Sequence, residues 1–310
     1  MEQKQPITVE QIKNVKDIGF IHNKGTNTFS GRVITTNGQL TTKQTKTLSE
    51  AALKFGNGTV IFTVRLNAEL PGIDFNNIAA FQKFIAQSDL KTGGTGSRVR
   101  PIVTCKGTTC KYGLSDTFSI ATEIHNRFYE GYYAVKLPHK FKIAIGGCPN
   151  NCVKPDLNDL GIVSVRIPKF KIENCRGCTK CGVVVTCLSQ GGAFSTQHGK
   201  IAIDRSLCIG CGLCVSKCSF KILEDSEYGF RIFIGGKWGK KTRRGSPLLK
   251  VFSKSEIITV IEKAILLFVR EGKVGERFGE TVDRLSIKKA EEMLMSDELL
   301  QSREKILEKE

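Results

Sequence analysis

Cys208, Cys211, Cys214 and Cys218 are separated by two, two and three residues, and this spacing limits the fold more than any other feature of the chain. Three thiolates on so short a loop grip one face of an iron–sulfur cube, and the displaced fourth cysteine reaches a second cube nearby. A related run lies upstream: Cys175, Cys178, Cys181 and, after five residues, Cys187. Two such runs predict a two-cluster ferredoxin with crossed pairing. Cys175, Cys178 and Cys181 would join Cys218, while Cys208, Cys211 and Cys214 would join Cys187. A pair of structural zinc sites is the rival reading, but zinc ribbons use two separated Cys-x2-Cys knuckles. The longer step to Cys187, and the absence of the customary proline after Cys187 and Cys218, set the loop around the second cluster apart from the usual pattern.

The other four cysteines are Cys105 and Cys110 in TCKGTTC and Cys148 and Cys152 in GCPNNC, so all twelve fall into three groups of four. Such clustering is not a disulfide framework and points to a reduced, cytoplasmic setting. The opening MEQKQPITVEQIKN is polar and has no apolar signal core. The most apolar stretch, 257–269, is broken by Glu262 and Lys263, so no membrane span is expected. A formal charge of +17 would ordinarily suggest nucleic acid or an acidic membrane. Three 4Fe–4S cubes on thiolates would remove about 6 of those charges. The densest basic patch, Lys240, Lys241, Arg243 and Arg244, reads as a solvated loop, and no nucleic-acid partner is expected. No G-x-G-x-x-G follows a predicted strand, so nicotinamide-derived electrons must enter through partner chains.

At 310 residues the chain has room for two or three domains. Residues 41–55 predict a helix with Leu48, Ala52 and Phe55 on one side, 59–65 a strand, and 74–87 a helix capped by Asp74. A Gly- and Thr-rich loop at 92–97 leads to a short strand at 102–104. Residues 115–133 read as a helix with Ser115 or Asp116 as cap, and 141–145 as a strand ending at Gly146 and Gly147. Strands at 160–166 and 230–234 flank the cysteine-rich stretch, which therefore reads as an insertion at about 171–224. Amphipathic helices at 256–269 and 287–306 close the chain.

TCKGTTC paired with GCPNNC resembles the signature for a 4Fe–4S cluster coupled to siroheme in the siroheme-containing nitrite and sulfite reductase family. IFTVRLNAELPGI, GSRVRPIVTC, LPHKFKIAI and GFRIFIGGKWGKK resemble recurrent blocks of the same family, and the likeness runs from about Arg32 to Arg284. The short length, the insertion and the GERFGETVDR tail are most similar to the catalytic C-subunit branch of the anaerobic sulfite reductases. The resemblance implies an α+β fold: a ferredoxin-like half-domain over 1–100, a siroheme/4Fe–4S mixed α/β domain over 101–170 and 225–310, and an inserted two-cluster bacterial-type ferredoxin over 171–224. It implies siroheme and three 4Fe–4S clusters, with Cys152 bridging cluster and siroheme iron and Cys105, Cys110 and Cys148 holding the other corners. It further assigns Arg32, Arg100, Lys140 and Lys142 to the oxygens of sulfite, and Arg65 to the siroheme carboxylates.

The activity implied by this resemblance is a six-electron reduction of sulfite to hydrogen sulfide, supplied by electron-donating iron–sulfur and flavin subunits of an NADH-linked complex. Because longer relatives carry two copies of the unit, an oligomer is expected. Siroheme nitrite reduction to ammonia, or a non-catalytic electron-transfer subunit, are the alternatives. Arg98 competes with Arg100 for the same role. Lys140 and Lys142 alternate along the predicted strand and so share a face, although they would also suit a strand edge. Gly235 and Gly236 end a strand or admit a flat cofactor close to the backbone. His125 and His139 read as packing or surface residues.

Overall fold

Period-two burial in Thr28–Val33 turns Phe29, Gly31 and Val33 inward and leaves Arg32 on the opposite face. The computed structural model describes residues 7–223 and 226–308. Helix α1 (Val9–Asp17) precedes strands β1 (Phe20–His22) and β2 (Thr28–Val33), helix α2 (Thr42–Phe55), strands β3 (Ile61–Phe62) and β4 (Ala68–Asp74), and helix α3 (Ile78–Ala86). The strands form an antiparallel sheet in the order β1-β2-β4-β3. Its core is Phe20, Phe29, Leu48, Leu70, Ile73, Phe81 and Ile85, all nearly solvent-free. Burying each such side chain contributes about 1.5–3 kcal/mol. Thr41 and Gln44 cap α2 reciprocally.

The strand expected over 59–65 is a correction. Only Ile61 and Phe62 are extended, at the sheet edge, and the inner strand is β4. The apolar run misleads because Phe62 and Val64 are 68% and 97% exposed, while Pro71 and Gly72 disguise β4. Leu66 takes a left-handed turn between the two strands.

The second unit contains β5 (Val103–Thr104), α4 (Thr117–Ile124), β6 (Ile143–Gly146) and β7 (Leu160–Pro168). Next come α5 (Gly182–Leu188) and the hairpin β8 (Phe194–Gln197) and β9 (Lys200–Ile203). The chain then returns through β10 (Ser226–Ile234), β11 (Ser246–Phe252), α6 (Lys254–Glu271), α7 (Phe278–Leu285), α8 (Ile287–Met295), α9 (Glu298–Gln301) and α10 (Arg303–Leu307). The sheet order is β11-β10-β7-β6-β5. β5, β6 and β7 run parallel, and β10 is antiparallel to both β7 and β11. α6 lays Ile257, Ile261, Ile265 and Phe268 onto the sheet.

Three expected elements differ in detail. The helix over 115–133 is α-helical only to Ile124, with Asp116 as cap, and continues as a wider π turn. The helix over 287–306 breaks into α8, α9 and α10, and Asp297 at the break pairs with the buried Lys263 ammonium at 2.7 Å. Strand β6 starts at Ile143, so Lys140 and Lys142 lie in its lead-in, on either side of the buried Phe141.

The chain leaves the sheet after β7 and returns into β10, its direct antiparallel neighbour, with Pro168 opposite Ser226, and residues 169–223 lie between. They carry a small core of their own, Val183, Phe194, Ile201, Val215, Ile222 and Leu223. The boundary expected between 224 and 225 falls outside the described residues. Among the described residues, no helix is long and apolar enough to cross a membrane.

Candidate functional site

All twelve cysteines are free thiols, and they gather in three places. Cys105 follows β5, and Cys148 and Cys152 occupy the loop after β6. The Gly147 amide donates to Cys105 Sγ at 3.1 Å. Burial, then the nearness of Cys105, Cys152 and Cys110, pushes the Cys148 thiol up. Cys152 is exposed.

A second pocket is lined by Cys187, Cys208, Cys211 and Cys214. There burial, and then the neighbouring thiols, push up Cys211 and raise Cys214 to about 11. The third pocket is lined by Cys175, Cys178, Cys181 and Cys218. Phe194 donates its amide to Cys187 Sγ and Ile201 to Cys175 Sγ, each at 3.4 Å. Each of these two pockets thus brings three thiols of one run to the fourth of the other.

Thiols that raise one another's pKa resist ionising together, and a cationic metal centre among them reverses that preference. Among the described residues, no three His, Cys, Asp or Glu side chains converge on a single-ion position. The thiols of the second and third sets line cavities, an arrangement that fits iron–sulfur cubes. The first and second sets face each other across a crevice: Cys148 and Pro149 line one wall, Cys211 and Gly212 the other.

A separate cluster of cations lies at the opposite end of β5 and β6. Arg100 precedes β5, where its amide bonds to Phe141 O at 2.8 Å, and Lys140 and Lys142 precede β6. Cys105 follows β5, about 16 Å along the strand from Arg100 at 3.3 Å per residue. Arg32 forks onto Glu69 at 2.8 and 2.6 Å and donates to Gly94 O at 2.9 Å. Arg100 donates to the same carbonyl and to Gly96 O. Arg65 reaches across from the first unit to Asn158 Oδ1 at 2.9 Å and Pro101 O at 2.8 Å.

Burial, followed by repulsion from neighbouring cations, pulls Arg65, Arg100, Lys140 and Lys142 down. Arg65 falls to about 9, with Arg100 the second cause, and Arg100 falls to about 10, with Arg32 the second. Lys142 falls to about 8 through burial, then Arg65, Arg277 and Lys140. Lys140 is lowered by burial, then by Arg277 and Arg100. Among the described residues, neither the Lys140 nor the Lys142 ammonium has a hydrogen-bond or ion-pair partner. The Nε atoms of Arg65, Arg100 and Arg277 are buried without partners. Buried, repelling donors of this kind are built for an anion.

Sequence reasoning did not single out Arg277 or Asp159. Arg277 donates to both oxygens of the fully buried Asp159, at 2.9 and 2.8 Å, and Asp159 Oδ2 accepts the Lys142 amide at 2.9 Å. Arg277 stands within GERFGETVDR, which carried family likeness without a stated role; nothing in the local sequence marks Asp159. Arg98 lies over the Tyr133 ring at 4.7 Å, outside the arginine contacts above. His125 is buried against Tyr129, and His139 Nδ1 accepts the Lys140 amide.

Gly235 has φ +78°, and a Cβ on Gly236 would meet the carbonyls of Asp156 and Asn158 at 2.4 Å. Their smallness serves a close approach within the chain itself. The buried, unpartnered guanidinium atoms fit the acidic side groups of a tetrapyrrole or a small oxyanion, and the thiol sets fit iron–sulfur cubes.

Residues 95–301 match the family described as the nitrite and sulphite reductase 4Fe-4S domain, and residues 21–88 match the nitrite/sulfite reductase ferredoxin-like half domain. The coenzyme F420-dependent sulfite reductase of Methanocaldococcus jannaschii is 32% identical over 222 residues, 71% of this chain and 34% of that protein. The chain thus spans about a third of that relative's length. The C-subunit of the anaerobic sulfite reductase of Salmonella typhimurium is 26% identical over 239 residues, 72% of this chain and 68% of the relative. The crystal structure of dissimilatory sulfite reductase I shares the fold, with a TM-score of 0.69 at 21% identity over 87% of this chain and 69% of that one.

Proposed function

Because the chain belongs to the nitrite and sulphite reductase family, we propose that it is the siroheme-bearing catalytic subunit of a sulfite reductase, carrying sulfite through six electrons to hydrogen sulfide. The observation that carries this reading is the crowd of Arg32, Arg65, Arg100, Lys140 and Lys142, with two ammoniums unpaired among the described residues and buried unpartnered guanidinium atoms. Relatives named for sulfite reduction support sulfite over nitrite.

In this reading Cys105, Cys110, Cys148 and Cys152 would hold a cluster, Cys152 would also serve as a siroheme ligand, and Arg65 would meet the macrocycle's carboxylates. Siroheme, when bound, supplies an iron that takes the sulfur of sulfite and passes electrons to it. Lys140, Lys142 and Arg100 hold the sulfite oxygens as negative charge builds on them. Lys142, whose pKa burial and neighbouring cations bring down to about 8, stays protonated at neutral pH yet gives up its proton readily, which suits it to protonate an oxygen leaving as water. Asp159 orients the segment from beneath by accepting the Lys142 amide and fixing Arg277.

Residues 171–224 would act as the two-cluster ferredoxin, with Cys175, Cys178, Cys181 and Cys218 holding one cluster and Cys187, Cys208, Cys211 and Cys214 the other, and the crevice lined by Cys211 and Cys148 would bring the second set within electron-transfer reach of the Cys105 set. The domain limits at 100/101 and 170/171 belong to the same proposal. The cations and the Cys105 set sit at opposite ends of the same strands, whereas sulfite is only a few ångströms across. That separation supports a shared site, in which the cations of one copy face the siroheme anchored by the thiols of a second. An NADH-linked complex in the cytoplasm, with flavin and iron–sulfur subunits, supplies the electrons. Steady-state rates on sulfite and nitrite, with reduced methyl viologen as donor, test the substrate. A kcat/KM for nitrite well above that for sulfite would replace sulfite reduction with the nitrite alternative.

A further inference from the structure

The two thiol pockets within residues 169–223 differ in what surrounds them. The pocket of Cys187, Cys208, Cys211 and Cys214 has no charged side chain in its lining. Its loop is tied to β7 by the Arg166 amide, which donates to Gly210 O at 2.8 Å. A Cβ on Gly210 or Gly212 would strike Val165 or Arg166 at 2.9 or 2.6 Å, so the loop sits directly on the host sheet. This is the inner pocket.

The pocket of Cys175, Cys178, Cys181 and Cys218 faces outward, and Cys178 is exposed. Arg176 and Lys200 are the charged residues of its lining. Within two residues of these cysteines along the chain stand Arg176, Lys180 and Lys217 against a single carboxylate, Glu173. All of these charged residues are exposed. The Arg176 guanidinium lies 4.7 Å over the ring of Phe220, itself 42% exposed, so the rim combines exposed cations with an exposed aromatic ring.

Resting on the reading of these cysteines as cluster ligands, we propose that this face is the electron-entry port and docks an acidic one-electron carrier protein, through which the NADH-linked donors deliver their electrons. Its carboxylates meet Arg176, Lys180 and Lys200. One electron leaves the carrier's centre and reduces the centre held by Cys175, Cys178, Cys181 and Cys218; no bond forms or breaks. The electron then moves to the inner set and across the Cys211–Cys148 crevice, and six such transfers serve one sulfite. Charge complementarity of this kind acts mainly on the encounter rate and is screened by salt.

The test mixes anaerobically purified holoprotein with an acidic flavodoxin in its hydroquinone form and follows the blue semiquinone left by loss of one electron. Arg176→Glu combined with Lys180→Glu and Lys200→Glu should lower the second-order rate about tenfold or more at low ionic strength and flatten its salt dependence. Photoreduction of the same variant by a neutral deazaflavin should match wild type, as should its iron content. Carbodiimide cross-links to flavodoxin should map to Lys180 or Lys200. If the triple variant loses iron, Lys200→Glu alone decides, since it lies in the β8–β9 hairpin outside the cysteine runs; a drop of about threefold or more is expected. An unchanged rate and salt dependence in the iron-replete variant, or cross-links mapping elsewhere, overturns the port. No sulfite is present, so failure here leaves the catalytic proposal standing, and loss of sulfite activity leaves the port standing.

Discussion

Replacing Lys142 with Met keeps the length of the side chain but removes an ammonium that has no partner among the described residues. That ammonium stands near Arg65, Arg277 and Lys140, whose repulsion combines with burial to hold it at about 8. Bound sulfite would relieve that repulsion, so the loss falls on the anion and on the charge that grows in the transition state. A hydrogen bond to a charged group contributes about 1.5–3 kcal/mol, and each 1.4 kcal/mol is about tenfold in rate. Lys142→Met should therefore lower kcat/KM for sulfite roughly 10- to 100-fold. The visible spectrum and iron content should stay at wild-type levels. The pH profile supplies a second readout. A lysine with a lowered pKa loses its proton as pH rises, so wild-type turnover should fall as pH passes through about 8, and the variant should lack that limb. The assay is anaerobic oxidation of reduced methyl viologen by sulfite across pH 6 to about 10. Wild-type kcat/KM in the variant, with an unaltered alkaline limb, would refute the placement of Lys142 at the substrate.

Three further outcomes follow from the same geometry. Cys152→Ser should abolish sulfite reduction while the clusters of residues 171–224 persist in the low-temperature magnetic spectrum, because their thiols belong to a segment with its own core; retained activity would remove Cys152 from the bridging role. Asp159→Asn should destabilise the protein by about 3 kcal/mol or more in urea unfolding, since Arg277 would be left buried without its counter-charge, and adding Arg277→Met should recover part of the loss. If cations and thiols of different copies complete one site, co-expressed Lys142→Met and Cys152→Ser chains should regain about a quarter of wild-type turnover through randomly mixed dimers, whereas sites confined to one chain would give no recovery.

Much of the thiol arrangement was legible in the sequence because ligand spacing on a short loop is a local property. Two cysteines separated by two residues have little freedom, and the displaced Cys187 and Cys218 could be assigned across the two runs on that basis. The cation cluster was different. Arg32, Arg65, Arg100 and Lys142 come from widely separated stretches, and periodicity could not unite them; only the likeness of whole blocks suggested a shared role. Arg277 and Asp159 escaped because a buried ion pair links residues 118 positions apart and leaves no local pattern.

The misplaced strand shows the same limit from the other side. Ile61, Phe62 and Val64 carry strand-forming side chains, yet they are exposed at an edge, while β4 takes the inner position despite Pro71 and Gly72. Burial, which depends on the whole chain, decided between them. The broken C-terminal helix has a similar cause: Asp297 leaves the helical path where it can neutralise Lys263.

On the proposed function this chain carries siroheme beside three iron–sulfur clusters. Anaerobic purification followed by iron analysis and an absorption spectrum tests it most directly. About thirteen iron atoms per chain, negligible zinc, and a siroheme band in the red that shifts when sulfite is added are expected. About eight iron atoms with a featureless brown shoulder, or stoichiometric zinc, would contradict it.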